Sequence, residues 1–252
     1  MASEFYDKLT PFYHLIYADW ESSIGQQARD LESIIREYWG EKINTVLDAS
    51  CGIGTQSLGL SQLGFKVTAS DLSFQTIKRG KEEALNRGLN IEFSLADMRE
   101  IFEHYCRTFD MVMACDNSIP HLLTDAEIYK AFEQFYQSTK EGGGCIISVR
   151  DYAAEEETGV QVKPYGIRYE NGIRYLIFQV WEFEGKTYEL DMYFIEDSGG
   201  ANCKTQVMRS KYYAVTIEKL VELMSEAGYK EVQRVDGRYF QPVIIGTKPS
   251  AA

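Results

Sequence analysis

The chain has 252 residues, enough to bury a substantial core in one α/β domain without disulfides or metals. A net charge of -12 at pH 7, with no basic stretch beyond Lys78-Arg79 and nearby Lys81, argues against a nucleic-acid partner. The five scattered cysteines (Cys51, Cys106, Cys115, Cys145, Cys203) argue for a reducing cytoplasm and against a disulfide framework or zinc site, and no apolar run approaches the roughly 20 residues that span a bilayer.

An aromatic leader over residues 3–20 reads as helical, and 24–39 carries apolar residues at helical spacing up to a stop at Gly40. Short apolar runs then alternate with helical patterns. Strands are expected over 45–48, 66–70, 91–95, 109–115 and 145–149, and helices over 55–63, 73–86 and 125–139. Between Gly166 and Phe194 the pattern turns aromatic and β-branched, broken at Asn171-Gly172 and Gly185-Lys186, which predicts antiparallel hairpins. A capped helix over 216–227 follows, with strands near Val232 and over 243–247. The expected fold is α/β: a Rossmann-like, mostly parallel seven-stranded sheet with helices on both faces. One domain, 1–252, is expected to carry residues 153–210 as an inserted antiparallel β cap or lid.

The segment VLDASCGIGTQSLGL sets a buried strand, a Gly-x-Gly turn at Gly52 and Gly54, and a helix in immediate succession. Such a turn lets backbone approach a ligand, whose anionic end meets free N–H groups at the helix start. Asp71 closes the next strand 17 residues after Gly54, where a carboxylate accepts the hydroxyls of a ribose. Together they point to a nucleoside-containing ligand at the carboxyl edge of the sheet. A pyrophosphate site wants a third glycine at position 57, which is Ser57, and Asp48 suits the ammonium of a methionine moiety that NAD lacks. An NAD-dependent dehydrogenase is therefore the weaker alternative, and a binding module without turnover is a third.

The Asp-x-x-x-Gly-x-Gly pattern of Asp48, Gly52 and Gly54 resembles that of class I S-adenosylmethionine-dependent methyltransferases. The resemblance implies S-adenosyl-L-methionine as cofactor, with Asp71 on the ribose and Leu72 lining the adenine pocket. It places Asp97 and Met98 of SLADMRE at the adenine amine and ring face, Tyr17 closing over the ligand from the leader, and Cys115 beside it. Read from the residues alone, Asp97 serves equally as a helix cap and Met98 as core packing.

Two further segments resemble the glycine and sarcosine N-methyltransferase branch: Asn117-Ser118-Ile119-Pro120-His121 after the fourth strand, and Arg150-Asp151-Tyr152 after the fifth. Carried across, Arg150 and Tyr152 bind an acceptor carboxylate, Asn117 orients the amine with help from His121, and Tyr212 and Tyr213 match a tyrosine pair near the same pocket. Residue 116 is Asp where that branch has Gly, an extra carboxylate that favours a more cationic acceptor. The residues also allow blander readings, in which Arg150 pairs with Asp116 or Asp151 and His121 is a packed turn residue. The implied activity is N-methylation of a small amine or amino acid such as glycine or sarcosine, with O-methylation or a natural-product scaffold as the alternative. The expected partner is a small-molecule acceptor, with no metal and no membrane, and a lid of this kind is compatible with a homo-oligomer.

Overall fold

A computed structural model describes residues 2–155 and 159–250. The leader forms α1 (Ala2–Leu9) and a 3-10 turn, Thr10–Ile16, that starts at Pro11. Helix α2 (Trp20–Trp39) begins four residues before its expected start because the Asp19 side chain accepts the Ser22 N–H and caps it. Then come β1 (Thr45–Asp48), α3 (Thr55–Gln62), β2 (Lys66–Asp71), α4 (Phe74–Asn86), β3 (Glu92–Leu95), the short α5 (Ile101–Tyr105) and β4 (Phe109–Ala114). Helix α6 (Asp125–Ser138) leads into β5 (Thr139–Ser148). Strand β5 starts earlier than the apolar run predicted, since its first residues, Thr139 to Gly144, carry little of the hydrophobic signal.

These strands, with β10 (Lys230–Val235) and β11 (Val243–Thr247), make a seven-stranded sheet in the order β10-β11-β5-β4-β1-β2-β3. Strands β1 to β5 run parallel, and β11 and β10 pair antiparallel at the edge. Alternate side chains divide between two cores. Leu47, Val112 and Ile147 pack with α6 and α7 (Ile217–Glu226), whereas Val46, Met111 and Ile146 pack with α2 and α3. Both faces are therefore covered, which is why the central strands read as apolar runs without alternation. The strand order reverses between β1 and β4, and ligands of open α/β sheets bind at the carboxyl ends beside such a reversal.

A separate four-stranded antiparallel sheet consists of β6 (Val160–Glu170), β7 (Ile173–Glu184), β8 (Thr187–Asp197) and β9 (Lys204–Tyr213). Its turns fall at Asn171-Gly172 and Gly185-Lys186 as expected, but the hairpin pattern extends beyond 166–194 in both directions. Strand β9 escaped because its first half, Lys204 to Arg209, is largely polar and half exposed. Trp181, Tyr188, Met192 and Phe194 bury one face of this sheet in the core shared with the leader and α6.

Candidate active site

The Gly52–Gly54 loop takes the left-handed conformation that its composition announced, with φ of +53° and +96° at the two glycines. Asp71 braces this loop. One carboxylate oxygen accepts the Gly52 N–H at 2.9 Å and the other accepts the Ser73 N–H at 2.9 Å, leaving further lone pairs on each oxygen. Burial pushes the Asp71 carboxyl up, and those two backbone donors pull it back. A small cavity runs from here past Ala49, Ser50, Leu72, Ala96 and Met98 to His121, roofed by Tyr6 and Tyr13 of the leader. Its ribose-ready carboxylate and apolar wall around Met98 fit an adenosyl ligand.

Other members of the expected cofactor set have more local duties. Asp48 is buried and accepts a 2.7 Å hydrogen bond from Ser57, so the residue in the place of a third glycine ties α3 to β1. Burial raises the Asp48 carboxyl to about 7. Asp97 caps the turn Met98–Glu100 through the Arg99 N–H and pairs with the Arg99 guanidinium at 2.6 Å, while lining an adjoining groove beside Leu72. Met98 stands both in the core and in the cavity wall. The Cys115 side chain is buried in the α2–α3 core. Tyr17 donates to Asp116 at 2.9 Å and receives the Thr55 hydroxyl at 3.3 Å, so it ties the leader to the turn after β4.

That turn is strained. Asp116 and Asn117 sit consecutively at φ of +56° and +64°, a region costly for residues with a Cβ. Ser148 holds them there: its hydroxyl accepts the Asp116 N–H at 2.7 Å and its carbonyl accepts the Asn117 N–H at 3.0 Å. The Asn117 carboxamide is itself engaged, its oxygen accepting the Arg150 N–H at 3.0 Å and its nitrogen donating to Tyr152 at 2.8 Å. Tyr152 is fully buried and continues to Tyr188 at 3.0 Å, so it stands behind the pocket, where it stiffens Asn117 and has no surface for an acceptor.

Arg150 has neither of the carboxylate partners open to it in the sequence. Asp151 pairs with Arg234 at 2.7 Å, and Asp116 takes its hydrogen bond from Tyr17. The guanidinium lies 5.2 Å from the Trp181 ring and donates through Nη2 to Tyr165 at 3.3 Å, while Nη1 is buried without a hydrogen-bond partner among the described residues. An inner pocket brings together Arg150, Asp116, Asn117, Tyr165, Gln179 and Tyr212. Burial raises the Asp116 carboxyl, with Tyr17 and Arg150 opposing.

Tyr212 and Tyr213 separate, because successive residues of a strand point to opposite faces. Tyr212 borders the pocket and packs 4.1 Å from His121, whereas Tyr213 turns away and donates to Asp125 at 2.7 Å. His121 takes the packed-turn reading: Nε2 meets Tyr6 at 2.8 Å, Nδ1 meets Ser210 at 3.4 Å, and burial lowers its pKa to about 3. It is neutral at physiological pH and a poor proton acceptor. Sequence reasoning missed Tyr6, Tyr13, Tyr165 and Gln179, which come from the leader and the cap. No local motif marks them, and only the tertiary fold brings them to the sheet edge.

Comparison with known proteins gives this geometry its context. Residues 46–143 match the methyltransferase domain family. A glycine/sarcosine N-methyltransferase of Aphanothece halophytica is 28% identical over 147 residues, covering 57% of this chain and 56% of that protein. The chain thus spans about half the length of the curated relatives it matches. Among solved structures, DesVI of Streptomyces venezuelae superposes with a TM-score of 0.80 at 17% identity over 94% of this chain and 97% of that one. CalS10, an amino pentose methyltransferase of Micromonospora echinaspora solved with S-adenosylmethionine, does so with a TM-score of 0.77 at 18% identity over 90% and 92%. Those identities speak to the fold. Residues 46–143 thus match a methyltransferase domain, the chain shares the fold of DesVI and CalS10, and its Asp48–Gly54 turn resembles the signature of class I S-adenosylmethionine-dependent methyltransferases.

Proposed function

We propose that this chain is an S-adenosylmethionine-dependent methyltransferase that N-methylates a small amino acid. The observation that carries the reading is the buried Nη1 of Arg150, without a partner among the described residues, in a pocket that also holds the Asp116 carboxylate and adjoins the cofactor cavity through Tyr6 and Tyr13. A buried guanidinium with a free N–H is costly unless an anion completes it, and a carboxylate does so bidentately. The resemblance of Arg150 and Asn117 to the glycine and sarcosine N-methyltransferases supports the same choice.

When bound, the cofactor supplies a methyl group already activated by its sulfonium. The chain's own task is placement, bringing an amine lone pair within about 3.5 Å of that methyl. Asp71 and the Gly52 loop hold the nucleoside, and Arg150 fixes the acceptor carboxylate. Asp116 receives the acceptor's ammonium, and its proton leaves from the Asp116 side of the pocket to solvent before the lone pair is free. Asn117, locked by Arg150 and Tyr152, keeps the turn that presents Asp116. Tyr6, Tyr13 and Tyr212 exclude water.

Methyl transfer from labelled cofactor to amino acids, simple amines and glucosamine tests the reading. Turnover requiring both an amine and a carboxylate supports it. Transfer confined to acceptors without a carboxylate would refute the Arg150 assignment.

A further inference from the structure

Three spaces lie in a row along the carboxyl edge of the sheet. The inner pocket shares Tyr6 and Tyr13 with the cofactor cavity, and it shares Ile16, Asp116, Arg150 and Tyr165 with an outer cleft. The outer cleft is completed by Gln26 and Asp30 of α2 and by Phe240 and Gln241 before β11. The two differ sharply in size. The inner cavity of about 40 Å³ has room for about three waters, whereas the outer cleft measures about 480 Å³.

Glycine or sarcosine would use the inner pocket alone and gain nothing from the larger space. We propose that the acceptor is an amino acid with a neutral or cationic polar side chain, its charged head in the inner pocket and its side chain in the outer cleft. The inference rests on the N-methyltransferase reading and goes beyond it in naming the acceptor class. Its polarity follows from the walls, where the carboxamides of Gln26 and Gln241 and the carboxylate of Asp30 offer hydrogen bonds and Phe240 is the exposed apolar rim. Its charge follows too, because among the described residues Asp30 and Asp116 are the acids of that wall and Arg150 its cation, already committed to the head group. An acidic side chain therefore meets like charge.

Binding energy from a non-reacting side chain raises kcat/KM when it helps hold the amine in line. With the full chain and labelled cofactor, kcat/KM for glutamine, asparagine or lysine is expected to exceed that for glycine, sarcosine and glutamate by about tenfold or more. Gln26→Trp, a substitution on the exposed face of α2, narrows the cleft and is expected to erase about tenfold of that preference. Wild-type enzyme that turns over glycine or sarcosine as well as the longer acceptors overturns the inference and leaves N-methylation standing. A preference unchanged in a folded Gln26→Trp chain overturns the placement of the side chain. If no amino acid is methylated while the demethylated cofactor still binds by calorimetry, the inference falls together with the reading beneath it.

Discussion

Asp116 is the residue where stability and function pull apart. It holds a left-handed backbone that glycine adopts without strain, yet it keeps a carboxylate facing Arg150 across the inner pocket. Asp116→Gly should therefore keep or slightly raise the melting temperature, the strain relief of about 1 kcal/mol offsetting the lost Tyr17 contact, while lowering kcat/KM by about a hundredfold. An active glycine variant would remove Asp116 from the acceptor site. Arg150→Ala should raise the acceptor KM strongly and leave cofactor affinity nearly intact, because the guanidinium touches the inner pocket and outer cleft but not the cofactor cavity. Calorimetry with the demethylated cofactor alongside acceptor kinetics separates the two; equal losses would argue against the role. Asp48 makes a prediction in pH. Its carboxyl is raised to about 7 in the folded chain against an ordinary value near 4 when unfolded, so between those values folding takes up a proton. Stability gained at low pH is then lost as pH rises toward 7, on the order of 1 kcal/mol per unit. Asp48→Asn keeps an acceptor for Ser57 and has no proton to lose. Its denaturation midpoint should pull ahead of wild type from pH 5 to pH 8, and parallel curves for the two proteins would contradict the buried carboxyl.

At the scale of elements, legibility followed the distance over which each structure is determined. The β1–Gly52–α3 unit and Asp71 were readable because strand, turn and helix are consecutive and each has its own residue signature. The β7 hairpin turns were readable for the same reason. Strand β9 was not, since its Tyr212 and Tyr213 follow a polar stretch whose strand character comes from pairing with β8. The division of labour between those tyrosines likewise needed to know which face of β9 meets His121. Close helix contact is another feature decided by tertiary structure. Gly59 on α3 leaves so little room that a Cβ would stand 2.4 Å from the Ile24 carbonyl and 2.6 Å from the Ala28 Cβ of α2. Gly59→Ala must push the two helices apart, and overpacking of this kind costs about 1–3 kcal/mol. For a chain of this length that is a fall in melting temperature of about 2–10 °C, measurable by calorimetry. An unchanged midpoint would mean that the α2–α3 interface is looser than its geometry indicates.

For the whole molecule, the leader is the piece that joins everything the site needs. Tyr6 meets His121, Asp7 accepts the Ser73 hydroxyl at 2.6 Å, His14 pairs with Glu170 of the cap at 2.7 Å, and Arg168 donates to the Tyr17 carbonyl at 2.7 Å. The cofactor cavity beneath it measures about 40 Å³, far less than a nucleoside with an amino-acid tail requires. Tyr13 packs directly on Gly52, its ring 3.0 Å from where a Cβ on that glycine would stand. Admission of the cofactor must therefore move the Tyr6 and Tyr13 side chains, Tyr6 being held by its hydrogen bond to His121, while Phe5, Leu9 and Leu15 keep the leader anchored in the core. Such a bond contributes about 1 kcal/mol, so brief local opening at these two rings is within thermal reach. The expected consequence is uneven hydrogen exchange: leader amides around Tyr6 and Tyr13 exchange fast in the free protein and slow by about tenfold or more with saturating demethylated cofactor, while β1 and β4 stay protected throughout. Leader exchange that ignores the ligand would show that the cofactor reaches Asp71 by another route, under Leu72 and Asp97.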